Sequence, residues 1–126
     1  MKNTHYDRLG GEKMLRDLVN RFYELMDTLP EAADIRHMHA ADLSDARNKL
    51  FMFLSGWLGG PSLYIEKYGH PRLRQRHLPF AIGEKERDQW MLCITQAMDE
   101  LNIDTSLKQE LTAALFKTAD FMRNQP

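Results

Sequence analysis

The chain has 126 residues, of which 43% are hydrophobic and 28% are charged. This composition is ordinary for a globular protein and excludes a disordered chain, and the length predicts one domain over residues 1–126. Seventeen basic and 18 acidic residues give a formal charge of −1, which excludes the basic footprint of a nucleic-acid-binding protein. The single cysteine, Cys93, excludes an internal disulfide framework.

The chain shows no targeting or membrane-spanning segment. The N-terminal sequence MKNTHYDRLGG lacks the apolar core of a signal peptide. No run of about 18 apolar residues is present to span a bilayer. We therefore expect a cytoplasmic protein without a membrane partner.

The first third of the chain predicts two helices and a corner. Residues 4–9 predict a short helix that ends at a Gly-Gly pair, where a sharp reversal is permitted. Apolar residues spaced by three and four predict a long helix over residues 12–29, and Pro30 ends it. Residues 31–42 are weakly periodic and predict one brief helical turn and a corner.

A third helix is predicted to begin at Asp42 or Ser44, both good N-caps, and to end at Trp57 or Leu58 before a Gly-Gly-Pro sequence. Its inward face contains the small Ala46 one turn before a large apolar residue, which leaves room for another helix or for a ligand. The stretch that follows, residues 59–70, is predicted to be a loop.

The remaining predicted elements are also helical. A short helix is predicted over residues 71–78 between two prolines, and long helices over residues 84–101 and 105–123, with Asp104 or Thr105 as the last N-cap. On the final helix, Phe121 is expected to face inward. Because no β-rich run appears, the sequence predicts an all-α fold with four substantial helices.

The sequence HPRLRQRHLPF, residues 70–80, is the strongest candidate for a functional site. His77 lies between a basic run and an apolar exit, a setting that suits a flat apolar metal macrocycle with carboxylates at its edge. We hypothesise that His77 binds a haem iron and that the neighbouring arginines meet the propionates. The commoner role of such a histidine is a hydrogen-bonded core residue, and composition alone leaves that alternative open.

Tyr23 and Trp90 are the second candidate group. Each is an aromatic residue with a polar donor on an otherwise apolar helical face. If both line one cavity, two donors are available to a bound dioxygen, and His39 adds a third. The alternative is that each is a core aromatic whose O–H or N–H bonds a backbone group.

Other chemistry has no signature in the sequence. The histidines and Cys93 lack zinc-site spacing, and no Cys-x-x-Cys-His is present for covalent haem attachment. No nucleophile elbow or phosphate loop occurs. No flavin or nicotinamide motif occurs either, so redox turnover requires an external reductase.

Four motifs in order, LGGEKMLRDLVNRFY, FLSGWLGGPSLY, GHPRLRQRHLPF and IGEKERDQWMLC, cover nearly the whole chain. In these motifs the sequence resembles the group II truncated haemoglobins. The resemblance implies a truncated globin-like, two-over-two helical sandwich around non-covalent haem b, iron protoporphyrin IX.

The resemblance also implies roles for individual residues. His77 matches the proximal iron ligand, and the distal ligand-stabilising positions are those of Tyr23, Trp90 and His39. Ala46 matches the usual distal-histidine position and Leu50 the position one turn later. The implied haem-propionate contacts are Arg76 and Tyr64. The side chains expected to line the rest of the pocket are Phe22 on the distal side and Phe53, Leu54, Leu73 and Phe80 elsewhere.

The function expected from this resemblance is reversible binding of dioxygen and other diatomic ligands, as in oxygen transport. One alternative is a haem enzyme that detoxifies nitric oxide or peroxide with an external reductase. Another is a cofactor-free helical interaction domain. A monomer and a homodimer are both compatible with the sequence, which gives His70 no defined role.

Overall fold

The structure, a computed structural model, describes residues 4–125. The first three residues belong to the N-terminal stretch considered above for a signal peptide, and they lie outside the described residues, as does Pro126. Within residues 4–125 every regular element is a helix. The predicted all-α fold is therefore confirmed.

Eight α-helices are present in the described part of the chain, and a 3-10 turn, Pro30–Ala32, precedes the third. In chain order they are α1 (His5–Leu9), α2 (Gly11–Thr28), α3 (Ala33–His37), α4 (Ser44–Trp57), α5 (Leu63–Tyr68), α6 (Leu73–His77), α7 (Glu84–Glu100) and α8 (Thr105–Phe121). One of the expected caps forms, since Asp104 Oδ2 accepts from the Leu107 amide at 3.1 Å. The cap expected for α4 does not form, because Leu43 holds the N-cap position; Asp42 Oδ1 instead accepts from the amide of Ser44, the first residue of that helix, at 2.8 Å.

The four longest helices form two layered pairs. Helix α2 packs on α4, α7 packs on α8, and α2 crosses α7 to join the pairs. This is the predicted two-over-two arrangement. The core between them is formed by side chains that are almost completely removed from solvent, among them Leu15, Leu18, Val19 and Met26 of α2, Cys93, Ile94 and Ala97 of α7, and Leu107 and Leu111 of α8.

The prediction of a loop over residues 59–70 was wrong, because α5 occupies half of that stretch. Tyr64 of α5 is only 8% exposed, and its ring lies edge-on to that of Phe53 on α4, with centroids 6.5 Å apart. A six-residue helix is marginal alone, so this packing against α4 stabilises a segment that has little helical periodicity of its own.

The inward direction predicted for Phe121 was also wrong, since 61% of this residue is exposed. Phe121 is the last residue of α8, and the Arg74 guanidinium lies over its ring at 5.6 Å from the centroid. The neighbouring Met122 is buried instead. Met122 continues the helical spacing of Leu111 and Leu115, with a backbone that is still helical, whereas Phe121 lies one position off this face.

The Gly-Gly pair after α4 allows α1 to pack closely against this turn. A Cβ atom placed on Gly60 would lie 2.5 Å from the ring of Tyr6, so a larger residue there would displace α1. The Tyr6 amide donates to the Leu58 carbonyl at 2.9 Å. In the part of the chain that the structure describes, no helix is long and apolar enough to cross a membrane.

Candidate functional site

A cavity opens between the two layers of helices. It has a volume of about 210 Å³ and is partly open to solvent. Its wall is mainly apolar. The predicted site residues that line it are Tyr23, His39, Leu50, Phe53, Leu54, Leu73, His77 and Trp90. The structure therefore brings the candidate iron ligand and all three candidate donors to one cavity.

His77 is the last residue of α6 and presents an imidazole to this cavity. Its Nδ1 lies 2.6 Å from the carbonyl oxygen of Leu73, one turn earlier. A carbonyl only accepts, so Nδ1 carries the proton and donates. The Nε2 lone pair is then available to a metal, with the ring oriented by its second hydrogen bond as in most metal-binding histidines.

His70 contributes to the turn that leads into α6. The amide of Arg72 donates to His70 Nδ1 at 3.0 Å, and Arg72 has a positive φ of 49°, which is uncommon for a residue with a side chain. This hydrogen bond stabilises the reversal before α6. The His70 side chain therefore stabilises the backbone of the segment that leads to His77, and it does not line the cavity.

Tyr23 projects from α2 and is 4% exposed. Its hydroxyl donates to the carbonyl oxygen of Ala46 at 3.3 Å, a long and therefore weak bond. Burial raises the pKa of Tyr23 above its ordinary value, and the charge of Arg47 opposes this only partly. The phenol consequently stays protonated at neutral pH and remains a hydrogen-bond donor.

Phe22 lies between the two aromatic donors rather than on the cavity wall. It is fully buried, and its ring is 4.9 Å from that of Tyr23 at 83° and 5.0 Å from that of Trp90 at 58°. Edge-on and tilted contacts of this kind favour specific ring orientations. Phe22 therefore packs against the rings of Tyr23 on α2 and Trp90 on α7 from the core, and helps to orient both.

His39 follows α3 at the corner before α4. Its Nδ1 lies 2.8 Å from the Ile35 carbonyl oxygen, and its ring is edge-on to that of Tyr23 at 5.9 Å. Because Nδ1 must donate to that carbonyl, the neutral ring has only an acceptor at Nε2. Donation by His39 to a ligand in the cavity then requires the doubly protonated ring, a condition that the sequence did not reveal.

Four other predicted residues lie off the cavity wall. Ala46 contributes its carbonyl to Tyr23, and Tyr64 packs behind Phe53. Phe80 lies in the irregular segment after α6 and is 39% exposed. Arg76 is exposed, and its Nε donates to the Pro71 carbonyl at 2.9 Å. Their roles toward a haem stay predictions.

Sequence reasoning did not assign several residues of the wall to the cavity. They are Ile35, Met38, Trp57, Ile82, Glu86, Arg87, Leu115, Thr118, Ala119 and Met122. Trp57, Leu115 and Met122 lie on the apolar faces of their helices, so the spacing of apolar residues offered a signal for them. The sequence offered no such signal for Arg87, because a charged residue near the start of a helix normally faces solvent.

The guanidinium of Arg87 forms ion pairs with two carboxylates. Its Nε donates to Asp88 at 2.9 Å and one terminal nitrogen donates to Asp120 at 2.8 Å, and these two hydrogen bonds raise the pKa of the guanidinium. Its charge is thus balanced within the protein. Among the described residues no group of three or more His, Cys, Asp or Glu side chains is arranged to hold a metal ion.

The comparisons with known proteins agree with this arrangement. Residues 4–124 match the family model of the bacterial-like globins. The group 2 truncated hemoglobin YjbI of Bacillus subtilis (strain 168) is 38% identical over 123 residues, which span 98% of this chain and 90% of that protein. Globins hold small diatomic ligands at a haem, and this general activity comes with the family.

Solved structures are similar over the same length. The group II 2-on-2 hemoglobin from Agrobacterium tumefaciens is 48% identical with a TM-score of 0.94, covering 99% of this chain and 97% of that one. The truncated oxygen-avid haemoglobin from Bacillus subtilis is 38% identical with a TM-score of 0.89, covering 97% of this chain and 100% of that one. The chain belongs to the bacterial-like globins, in the group II truncated, two-on-two branch.

Proposed function

We propose that this protein binds haem b non-covalently and holds dioxygen and other diatomic ligands reversibly, with His77 as the proximal iron ligand. The observation that carries the proposal is the convergence of His77, Tyr23 and Trp90 on one apolar cavity. Three residues from three different helices lie on its wall. Core packing alone does not require an imidazole, a phenol and an indole to share an open space.

The wall of the cavity fits the body of a haem. Leu50, Phe53, Leu54 and Leu73 are apolar side chains that line the space, and burying an apolar macrocycle against them is favourable. Cys93, the single cysteine, is completely buried in the core away from this wall, so the chain offers no thiol for covalent attachment. When bound, the haem supplies the iron at which a diatomic ligand is held.

On the proximal side, His77 supplies Nε2 and the chain orients the ring. The Leu73 carbonyl accepts a hydrogen bond from Nδ1, which selects one tautomer and restricts rotation of the ring. These features fix one orientation of the ring, with Nε2 as the nitrogen available to the iron.

On the distal side, Tyr23 and Trp90 are the donors to the bound ligand. The bond of the Tyr23 hydroxyl to Ala46 is long enough to be exchanged for a shorter one to a ligand that carries partial negative charge. Phe22 holds both donor rings and so limits the reorganisation this needs. Two donors together slow ligand release.

At the haem edge, Arg76 is the proposed partner of a propionate. Its side chain is exposed, and its one hydrogen bond within residues 4–125 is made by Nε, so both terminal nitrogens of the fork remain available. Arg87 is a poorer candidate because two carboxylates already bind it. Tyr64 is the proposed second contact, which requires its hydroxyl to reach past Phe53.

The proposed binding of dioxygen is supported by the similar haemoglobin from Bacillus subtilis, which is oxygen-avid. We further propose that the protein is a single domain over residues 1–126 and that it transports oxygen in the cytoplasm. Two alternatives predict different behaviour. A nitric oxide or peroxide enzyme requires turnover with an external reductase, and an interaction domain requires no haem.

The test combines haem-linked stability with oxygen cycling. Haem added to the apoprotein should raise its melting temperature, because a ligand that binds only the folded state stabilises it. The ferrous protein should then change its spectrum reversibly over repeated cycles of argon and air. An unchanged melting temperature would support the interaction domain. Irreversible oxidation in the first cycle, with rapid turnover of nitric oxide or peroxide once a reductase is supplied, would support the enzyme.

A further inference from the structure

We propose that Asn124 is a positioning residue for His77, and that it acts through residues 121–125, which we call the strap. The proposal rests on the assignment of His77 as iron ligand. It concerns how the chain holds that ligand in place, since Asn124 lies off the cavity wall.

The segment that carries His77 has little support from the core. Helix α6 has five residues, and none of them is buried. Such a short helix is marginal in isolation, because one turn brings few hydrogen bonds for the backbone that it orders. The chain continues through residues 78–83 without a helix until α7 begins at Glu84. Other contacts must therefore hold His77 against the cavity.

Asn124 supplies these contacts with one side chain. Its Nδ2 donates to the Phe80 carbonyl at 2.7 Å and to the His77 carbonyl at 3.3 Å. Its Oδ1 accepts from the Ile82 amide at 2.9 Å. Both polar atoms of the amide are thus used, and they join three backbone groups over residues 77–82. This set constrains the turn that follows His77.

The strap also binds this segment through the backbone. The amides of Asn124 and Gln125 both donate to the Ile82 carbonyl, at 2.8 and 3.1 Å. The Ile82 backbone therefore bonds the strap at both its N–H and its C=O. Because Ile82 itself lines the cavity, the strap sets the position of the wall as well as that of the turn.

Arg74 makes a second tie, on the other side of His77. One of its terminal nitrogens donates to the carbonyls of Phe121 and Arg123, at 2.8 and 2.9 Å. Arg74 directly follows Leu73, whose carbonyl orients the His77 ring. The strap consequently holds α6 both at its start and beyond its end.

The strap is itself anchored to the core. Met122 is buried and lines the cavity, and Arg123 Nε donates to Asp120 at 2.6 Å. Asp120 in turn binds Arg87 of α7. A displacement of His77 must therefore disturb contacts with both α7 and α8, which makes the strap a rigid support.

A residue that orients a metal ligand from outside typically changes metal affinity by about 10–100-fold when mutated. Asn124→Asp keeps the size of the side chain and an acceptor for Ile82, but it replaces the NH₂ that donates to His77 and Phe80. We expect haem to transfer to an acceptor apoglobin about tenfold faster or more. We also expect the iron–histidine stretching band of the ferrous protein, measured by resonance Raman, to shift or broaden.

Gln109→Glu is the matched control. It makes the same change of charge at an exposed side chain of α8, outside the strap and away from the cavity wall. Its haem transfer rate and its iron–histidine band should equal those of the wild type. An equal change in both variants would show an effect of charge alone and would overturn the proposal.

Arg74→Met keeps the test decisive if Asn124→Asp does not fold. It removes the second tie while leaving Asn124 in place, and it should change the same two readouts in the same direction. A lower melting temperature with an unchanged band and an unchanged transfer rate, in whichever variant folds, would overturn the proposal. A wild-type protein that takes up no haem would instead refute the proposed function, so the two failures are distinguishable.

Discussion

The two sides of the cavity are held in different ways. The distal side is built from Phe22, Tyr23 and Trp90, which project from the long helices α2 and α7 and contact one another in the core. The proximal side presents Leu73 and His77 from α6, a short helix with no buried residue that is held by hydrogen bonds from the strap.

This difference separates two physical origins of site geometry. Distal geometry comes from packing, whose energy is shared with the stability of the whole fold. Proximal geometry comes from a few directional hydrogen bonds, each worth only about 1 kcal/mol in net stability. Distal core substitutions should therefore affect unfolding most, and proximal ones should affect haem retention most.

The largest effect is expected from His77→Gly. This change removes the proposed iron ligand, and haem affinity should fall by more than about 100-fold, beyond the range for outer partners of a ligand. Haem titration followed by absorbance measures the loss. Added imidazole should restore part of the binding, because it supplies the missing nitrogen. Unchanged affinity would place the iron ligand elsewhere.

The next largest effect is expected from Phe22→Ala on the distal side. Phe22 is completely buried, and deletion of a core phenylalanine costs about 3–5 kcal/mol of unfolding free energy. Urea unfolding of the apoprotein measures it. The control is Leu73→Ala, which should cost less because Leu73 is only half-buried. Equal losses would contradict the contrast between the two sides.

A kinetic effect is expected from Tyr23→Phe and Trp90→Phe. Hydrogen bonds to a charged partner contribute about 1.5–3 kcal/mol, so each change should speed dioxygen release by about 10–100-fold. Stopped-flow displacement of dioxygen measures the rate. Tyr68→Phe is the control, because Tyr68 is exposed and lies off the cavity wall. Unchanged release in both distal variants would remove these residues from the role.

The smallest effect is expected away from both sides, where α1 meets α8. Arg8 and then His5 lower the pKa of Glu110 from 4.5 to about 2. A lowered folded-state pKa gives stability that is present above the unfolded value and is lost as pH falls through the folded one. Glu110→Gln should therefore unfold more easily than the wild type at pH 6, and the difference should disappear between about pH 4.5 and 2.

Thermal unfolding over this pH range measures the difference, which should be modest because the pair is exposed. Haem affinity at pH 7 should not change in Glu110→Gln. A fall in affinity would mean that this ion pair influences haem binding. It would contradict the expectation that surface contacts far from the cavity leave both of its sides unchanged.

The sequence allowed the distal side to be predicted better than the proximal one. Tyr23 and Trp90 lie on long helices, whose periodicity shows which residues face inward. His77 was identified from its unusual neighbours and from the family motifs. The strap was not predicted, because the contact of Asn124 with Phe80 joins residues 44 apart in sequence and leaves no local pattern.

Two other features depended on tertiary contacts. Helix α5 forms where a loop was predicted, because burial of Tyr64 against α4 outweighs weak local propensity. Arg87 lines the cavity because Asp88 and Asp120 balance its charge, a pairing that spacing does not predict. The tautomer of His39 likewise depends on a carbonyl that only the folded chain brings near.

The most direct test of the central claim is an absorption spectrum of the wild-type protein titrated with haem, reduced, and then exposed to carbon monoxide. We predict a strong Soret band that saturates at one haem per chain and shifts sharply when the gas is added. A protein that takes up no haem, or whose reduced spectrum does not respond to the gas, would contradict it.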